Sequence, residues 1–225
     1  MKLIIFLTSF LISCQATLLF DIRLANDVVD EMSTIENFMN PNLCTTVQLN
    51  YCQSAFNQAT MLPIDLYPEN GTAIFNAIQQ KLSQGPDEVM EVCVARKRFA
   101  QCVGSTYSNC MNINYLAYKT SFAQAFDYVK TFRQLDHMCN RHVFPETVLS
   151  YECLTGFPTT AAYQNCVTQF NQTVTADNLC NPVITASTCF KNAYQTACGN
   201  AESAQFGCQG FYTTFEEACQ LKKVC

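Results

Sequence analysis

The chain carries the stretch CVARKRFAQCVGSTYSNC at positions 93–110, and its cysteine spacing returns in CNPVITASTCFKNAYQTAC at positions 180–198. In both stretches the middle cysteine follows the first by nine residues, and the last follows after eight residues in one copy and nine in the other. A tyrosine stands five residues after each middle cysteine, at Tyr107 and at Tyr194. A cysteine frame that recurs in this way indicates that one structural unit occurs twice.

A second sequence similarity lies upstream of each stretch. The segment CQSAFNQ begins at Cys52, and the segment CVTQFNQ begins at Cys166. Both place a phenylalanine four residues after the cysteine and end in Asn-Gln. We therefore predict two diverged cysteine-rich units, residues 44–139 and residues 140–225, preceded by an N-terminal helical segment at residues 17–43.

Cysteine is unusually frequent, at 15 of the 225 residues. Free thiols in that number are rare, so the composition predicts disulfide bonds and an oxidising, extracellular compartment. The net charge is −5, and only 14% of the residues are charged, with no run of lysine or arginine longer than the three residues 96–98. Proteins that bind the phosphate backbone need such a basic patch, so we expect no nucleic-acid partner.

The first sixteen residues have the features of a signal peptide. Lys2 supplies a positive start, an apolar stretch covers residues 3–12, and small residues precede a cleavage site after Ala16. Two alternatives stay open: the apolar stretch is a retained anchor, or residues 11–14 are a bacterial lipoprotein box in which Cys14 is lipidated. Because no later apolar run reaches 18 residues, we predict a secreted mature chain with no membrane span.

Apolar residues recur at steps of three and four along most of the chain, and long alternating runs are missing. The predicted fold class is therefore all-α, a disulfide-stapled helical bundle built from two diverged cysteine-rich repeats. The first helical pattern begins at Leu24 and continues to Met39, before Pro41. The clearest predicted helix has seven core-facing positions, which are Tyr118, Phe122, Phe126, Val129, Phe132, Leu135 and Cys139.

The fourteen cysteines after Cys14 are disulfide candidates, and their even number allows a fully oxidised chain. Six fall in the first unit and eight in the second, so bridges are expected to close within units, with Cys208 and Cys219 as the second unit's extra pair. The sequence leaves the other pairings open. The candidates are Cys44, Cys52, Cys93, Cys102, Cys110, Cys139, Cys153, Cys166, Cys180, Cys189, Cys198, Cys208, Cys219 and Cys225.

The chain resembles the secreted, cysteine-rich nematode proteins that are grouped as domain-of-unknown-function family nineteen. The resemblance is carried by VCVARKRFAQC at 92–102, by STYSNCMN at 105–112, and by the aromatic helix that ends in Cys139. It covers roughly residues 44–225. The resemblance implies a secreted, helical, disulfide-bonded protein, and it implies no catalytic residue because that family has no generally assigned activity.

The two histidines of the chain, His137 and His142, flank Cys139 in the pattern His-x-Cys-x-x-His. Imidazole and thiolate are zinc ligands, but a cysteine held in a disulfide offers no thiolate. No Gly-x-Ser-x-Gly motif is present in the sequence, and with so few histidines any Ser-His or Cys-His pair must use one of these two. The sequence therefore predicts no metal, no cofactor and no evident catalysis.

Two functions from different classes fit this sequence. One is a secreted interaction module that binds another extracellular protein or a cell-surface component through its helical faces. The other is a carrier that holds a small hydrophobic ligand in a helical cavity between the two halves. Two sequons, Asn70-Gly71-Thr72 and Asn171-Gln172-Thr173, make Asn70 and Asn171 candidates for N-glycosylation.

Overall fold

A computed structural model describes residues 17–35, 44–219 and 224–225 of the chain. The predicted signal peptide, with Cys14, lies outside these ranges, as do Met39 and Pro41. The helices are α1 (Asn26–Ile35), α2 (Thr46–Thr60), α3 (Gly71–Leu82), α4 (Pro86–Val103), α5 (Tyr107–Cys110), α6 (Ile113–Ala117), α7 (Phe122–Met138), α8 (Phe144–Leu149), α9 (Tyr151–Gly156), α10 (Ala161–Thr173), α11 (Cys180–Cys198), α12 (Ala201–Tyr212) and α13 (Glu216–Cys219). The described ranges contain no strand, only an isolated bridge between Thr175 and Asn178, so the all-α class is confirmed.

The aromatic helix starts later than its apolar pattern predicts. Helix α6 ends at Ala117, and α7 begins after Ser121, whose side chain accepts a hydrogen bond from the backbone N–H of Gln124. A serine cap of this kind starts a new helix, because it satisfies a backbone donor that has no partner in the first turn. The prediction that Tyr118 faces the core is therefore wrong, since its side chain is 82% exposed.

From Phe126 onward the predicted stripe is correct. Phe126, Val129, Phe132 and Leu135 are all buried, as their spacing on one helix face requires. Helix α7 packs against α3, α4 and α6 of its own unit and against α12 of the other. The helix therefore forms the core of the first unit and also one wall of the junction between the units.

Three disulfides hold the first unit together. Cys44, just before α2, bonds Cys110 at the end of α5, while Cys52 in α2 bonds Cys102 in α4. Cys93 in α4 bonds Cys139, the residue that follows α7. In the order of the chain, the first cysteine is joined to the fifth, the second to the fourth and the third to the sixth.

The second unit repeats this connectivity with one bridge added. Its bridges are Cys153–Cys198, Cys166–Cys189 and Cys180–Cys219, and the added one is Cys208–Cys225. The first three join cysteines in the same order, one to five, two to four and three to the counterpart of Cys139. The same order of pairing joins α2 to α4 in the first unit and α10 to α11 in the second.

The predicted extra pair of Cys208 with Cys219 is wrong. The turn after α12 directs α13 to the start of α11, where Cys219 bonds Cys180, in the place that Cys139 takes beside Cys93. Cys208, on α12, is then left for the C-terminal Cys225. Cys219 is therefore the counterpart of Cys139, and the extra pair of the second unit is Cys208 with Cys225.

A phenylalanine at the same repeat position packs in the core of each unit. Phe56, four residues after Cys52, contacts Phe132 with ring centroids 5.5 Å apart, and Phe99 packs 4.6 Å from Phe132. In the second unit Phe170, four residues after Cys166, lies 5.1 Å from the ring of Phe211. Aromatic contacts at these distances add to the area that the rings bury. The phenylalanine shared by the CQSAFNQ and CVTQFNQ segments therefore occupies a core position in both units.

Helices α3 and α7 approach each other closely at Gly71, which is buried at the start of α3. A Cβ atom at this position would overlap the backbone carbonyl oxygen of Gln124 and would lie 2.8 Å from the backbone nitrogen of Tyr128. Backbone atoms cannot move aside as a flexible side chain can. The contact between the two helices therefore requires glycine at this position.

Substituting Gly71→Ala should lower the free energy of unfolding by about 3 kcal/mol, because the added methyl group forces the two helices apart. Gly156→Ala is the matched control: no atom lies within 4 Å of a Cβ there, and its φ of −78° suits any residue. Alanine in place of Gly156 should leave stability unchanged or slightly raised. Equal denaturation midpoints for the two variants would contradict the close approach.

Reduction of the disulfides should unfold the protein. Each bridge closes a loop of 17 to 66 residues, and a loop of that length restricts the unfolded chain by roughly 3–4 kcal/mol. Circular dichroism should show the helical signal lost after reduction and alkylation in native buffer, with the untreated protein as control. A cooperative thermal transition in the alkylated protein would show that packing alone maintains the fold.

Candidate functional site

Residues 17–22 lie in a cleft between the two units. Leu18, Leu19, Phe20 and Ile22 are buried, and the backbone N–H of Thr17 donates to the carbonyl of Thr155 in α9 at 3.4 Å. The segment forms no helix or strand, so its backbone groups need partners outside regular secondary structure. We name this space, with its walls on α3, α7, α10, α11 and α12, the inter-unit cleft.

Two glutamine side chains bind the backbone of this segment. The amide of Gln79, in α3, accepts from the N–H of Leu19 at 3.0 Å and donates to the carbonyl of the same residue at 2.9 Å. Gln134, in α7, does the same for Phe20, at 2.6 Å and 3.2 Å. Each primary amide has one acceptor and two donors, so one side chain satisfies both backbone groups of a residue.

Lys130 adds a charged contact to the same segment. Its ammonium group is fully buried, and it donates to the carbonyl of Ile22 at 3.0 Å and to the carboxylate of Asp127 at 2.7 Å. It also lies 4.4 Å from the centre of the Phe75 ring. Burial lowers the pKa of Lys130 from its ordinary value, while the charge of Asp127 acts against that shift.

The ring of Phe20 occupies an aromatic pocket of the second unit. Its centroid lies 5.0 Å from that of Phe190 and 5.9 Å from those of Tyr163 and Phe211. On α12 a Cβ at Gly210 would come within 2.9 Å of the ring, so glycine leaves the space that the ring fills. The cavity that remains measures about 10 Å³, space for at most one water molecule.

The outer surface of α2 and α4 presents large apolar side chains to solvent. We call it the α2–α4 face, formed by Val47, Tyr51, Met61, Met90 and Val94, which are between 43% and 83% exposed. A groove of about 640 Å³ runs beside Met61, Met90 and Val94, with Asp87, Glu91 and Arg98 at its edges. An apolar groove with charged edges is typical of a surface that binds another protein.

A second groove lies between α10 and α11. It measures about 750 Å³ and is lined by the Cys166–Cys189 bridge and by small residues that include Ala162, Ala193 and Ala197. The bridge fixes the distance between the two helices, so the groove keeps its width. Its open, mostly small-residue lining is different from the closed cavity that a carrier would need between the two halves.

The repeated tyrosines have different surroundings in the two units. The hydroxyl of Tyr107 donates to both carboxylate oxygens of Asp136, at 2.9 Å and 3.0 Å, and Arg96 also bonds Asp136. Burial raises the pKa of the Asp136 carboxyl, although the hydrogen bonds and charge of Arg96 act in the opposite direction. Tyr194 lies instead among rings, 4.4 Å from the centroid of Phe157. The tyrosine at this repeat position therefore has polar partners in the first unit and aromatic neighbours in the second.

The structure separates the residues of the His-x-Cys-x-x-His pattern. Cys139 is bonded to Cys93, His142 is exposed, and His137 is largely buried against Phe206 of α12, with ring centroids 6.1 Å apart. Among the residues that the structure describes, no group of three or more histidine, cysteine, aspartate or glutamate side chains is placed to hold a metal ion.

The two sequons differ in their structural setting. Asn70 precedes α3 and is exposed, while the hydroxyl of Thr72 donates to Asp127 at 2.6 Å and accepts from Gln124 at 3.0 Å. Asn171 is exposed on the last turn of α10. Its repeat counterpart Asn57 is buried and donates to the carbonyl of Leu66 at 2.7 Å. Both candidate asparagines are therefore accessible, although the first sequon also has a packing role.

Sequence reasoning missed the polar residues that line the inter-unit cleft. Gln79, Gln134 and Lys130 sit at buried positions of helices whose apolar pattern alone was interpreted. Their partners are 60, 114 and 108 residues away along the chain, so no local pattern connects them. The one available signal was the apolar run Leu18–Phe20, which follows the predicted cleavage site and is too short to be a helix.

Protonation of His137 should weaken the contact between the units. Burial lowers the pKa of its imidazole from 6.5 to about 4, despite a hydrogen bond with the backbone of Phe206. Between these values the unfolded chain binds the proton and the folded chain does not. The free energy of unfolding should therefore fall as the pH decreases from about 6.5 to 4, by at most roughly 3 kcal/mol from this group.

The measurement is denaturant unfolding of the wild type and of two variants between pH 7 and pH 4. His137→Gln should lose less stability than the wild type over this range, because it has no imidazole to protonate. His142→Gln is the matched control, since His142 is exposed, and its pH dependence should equal that of the wild type. Three identical curves would remove His137 as the source of the effect.

Comparison with protein-family models, with curated proteins and with solved structures gives no match for this chain. The resemblance to the nematode family therefore depends only on the residues quoted for it, and it assigns no residue a role. Three structural features bear on its function: the repeated bridges, the filled inter-unit cleft and the exposed α2–α4 face.

Proposed function

We propose that this protein is a secreted interaction module that binds another extracellular protein or a cell-surface component and carries out no catalysis itself. The observation that carries the proposal is the α2–α4 face, five exposed apolar side chains on or directly after two helices that the Cys52–Cys102 bridge joins. A rigid surface loses little conformational entropy when it binds, so such a face suits recognition.

The disulfides support an extracellular location. All fourteen cysteines of the described chain are bonded in seven bridges, and such bridges persist in oxidising compartments. The predicted signal peptide at residues 1–16 agrees with export. Asn70 and Asn171 are exposed and are the positions that we propose for N-linked glycans in such a pathway.

Within residues 17–35, 44–219 and 224–225, none of the helices combines the length and the hydropathy of a membrane span.

The composition of the α2–α4 face indicates the class of partner. Met61 and Met90 have flexible, polarizable side chains that adapt to different apolar surfaces. Asp87 and Arg98 at the groove edge bring both signs of charge, and Glu91 is already paired with Lys81 at 2.9 Å. We infer a protein surface with an apolar centre and a mixed-charge rim as the partner, since the face carries no excess of basic groups for an acidic polymer.

A carrier of a small hydrophobic ligand is the second candidate. The groove between α10 and α11, at about 750 Å³, is the observation that favours it, because ligand pockets of this size are common. The space between the two halves, where the sequence placed such a ligand, is filled by Phe20 and leaves only about 10 Å³. The carrier function would therefore use the second unit alone.

The test is capture of a partner from extracellular fluid by the purified wild type and by matched variants. The double variant Met90→Glu/Val94→Glu should reduce capture at least tenfold, since charge on the groove wall opposes burial of an apolar partner surface. Tyr118→Glu/Leu149→Glu is the control: it adds the same charge at side chains that are 82% and 83% exposed and do not line the groove.

Equal capture by both double variants would contradict the assignment of the α2–α4 face. Mass spectrometry of organic extracts from the natively secreted protein tests the carrier function in the same preparation. A lipid recovered in stoichiometric amount and lost after Ala193→Trp, which fills the α10–α11 groove, would favour the carrier over the interaction module.

A further inference from the structure

The segment in the inter-unit cleft is bound in the way that a protein binds a peptide ligand. Its backbone groups are held by the side chains of Gln79, Gln134 and Lys130, and by no helix or sheet ladder. Contacts to backbone groups do not depend on which side chains the peptide carries. The cleft therefore has a general means of binding an extended peptide, as peptide-binding domains do with a sheet edge.

The aromatic pocket adds selectivity to this general binding. Phe190, Tyr163 and Phe211 surround the Phe20 ring, and Gly210 leaves room for it. A smaller side chain would leave the pocket partly empty, and a charged one would be buried without a partner. The position that Phe20 occupies therefore selects an aromatic residue, with aliphatic residues preferred on either side at the buried positions of Leu19 and Ile22.

The walls of the cleft do not depend on this segment for their covalent structure. Every bridge joins cysteines at position 44 or beyond, so the segment is crosslinked to neither unit. Helix α1, which follows the segment, is anchored by its own buried residues Val28, Val29 and Met32. No disulfide therefore has to break for residues 17–22 to leave the cleft.

The cleft also has an open side. A hollow of about 440 Å³ lies beside Thr17 and Asp21, and Asn76 and Gln80 of α3 line its other wall. The side chains of Asp21 and Arg23 are exposed, and they pair with each other at 3.3 Å. The segment is therefore open to solvent along its edge at Thr17 and Asp21.

We propose that the inter-unit cleft is a peptide-recognition site that residues 18–22 occupy in the resting protein, and that an aliphatic-aromatic segment of another extracellular protein can replace them. This inference goes beyond the proposed interaction function, because it assigns a second class of partner to a different surface. A tethered segment competes at an effective concentration of about 1 mM, so the resting chain excludes weak peptides.

The experiment uses the full chain and a fluorescent peptide with the sequence of residues 17–24, TLLFDIRL. In the variant Phe20→Ala the resident segment binds the cleft more weakly, so the added peptide should bind saturably. The wild type should show no binding at the same micromolar peptide concentrations. A peptide with alanine in place of its phenylalanine should bind the variant at least tenfold more weakly. Fluorescence anisotropy measures each affinity.

A second substitution identifies the cleft as the binding place. Adding Gln134→Leu to Phe20→Ala removes the amide that holds the backbone of the pocket residue, and peptide affinity should fall at least tenfold. Gln101→Leu, at an exposed position of α4, is the matched addition and should leave affinity unchanged. Failure of the Phe20→Ala protein to bind, or equal binding by the two double variants, overturns the proposal.

Hydrogen exchange of the wild type gives a test that needs no substitution. The amide hydrogens of Leu19 and Phe20 should exchange before those of α7 and α11, because the segment opens while the units stay folded. Exchange of all these amides in one global step would overturn the proposal even if the variants did not fold. Capture of a partner through the α2–α4 face is measured in a separate experiment. The peptide-site proposal and the proposed function can therefore be contradicted independently.

Discussion

The ordered set of disulfides in each unit is the constraint from which the rest of the structure follows. Each set joins the first cysteine to the fifth, the second to the fourth and the third to the sixth, counting Cys219 as the counterpart of Cys139. Crosslinks of this kind restrict the unfolded chain and hold the joined helices side by side. Core positions such as Phe56 and Phe170 then pack in equivalent places, although the sequences around them have diverged.

The two units meet through a segment that belongs to neither set of bridges. Residues 17–22 bring four apolar side chains into the inter-unit cleft, and with them backbone groups that would be costly to bury without partners. Gln79, Gln134 and Lys130 supply those partners, which explains why three polar side chains occupy buried helix positions. The junction combines the apolar contact of Phe20 with satisfied backbone polarity, the combination that a peptide-binding site also requires.

Buried polar groups stabilise the fold, whereas exposed apolar side chains are available for binding, and this separation fits the proposed function. The groups with shifted pKa values, such as Asp136, Lys130 and His137, are engaged in contacts that hold helices and units together. The exposed apolar side chains are concentrated on α2 and α4, outside those contacts. Because bridges fix the frame, the outer faces can vary without loss of the fold, as expected of a scaffold that presents binding surfaces.

The sequence by itself determined the helical class, the repeated cysteine spacing and the approximate extent of α7 after Phe126. These features depend on periodicity and spacing within short stretches, which local side-chain geometry fixes. It did not determine the start of α7, because an apolar pattern continues across the cap at Ser121. Only the tertiary structure decided that Cys219 pairs with Cys180, and that Leu19 and Phe20 lie between Gln79 and Gln134. Those contacts join residues 39 to 114 positions apart, and their energy depends on burial that arises only when distant helices meet.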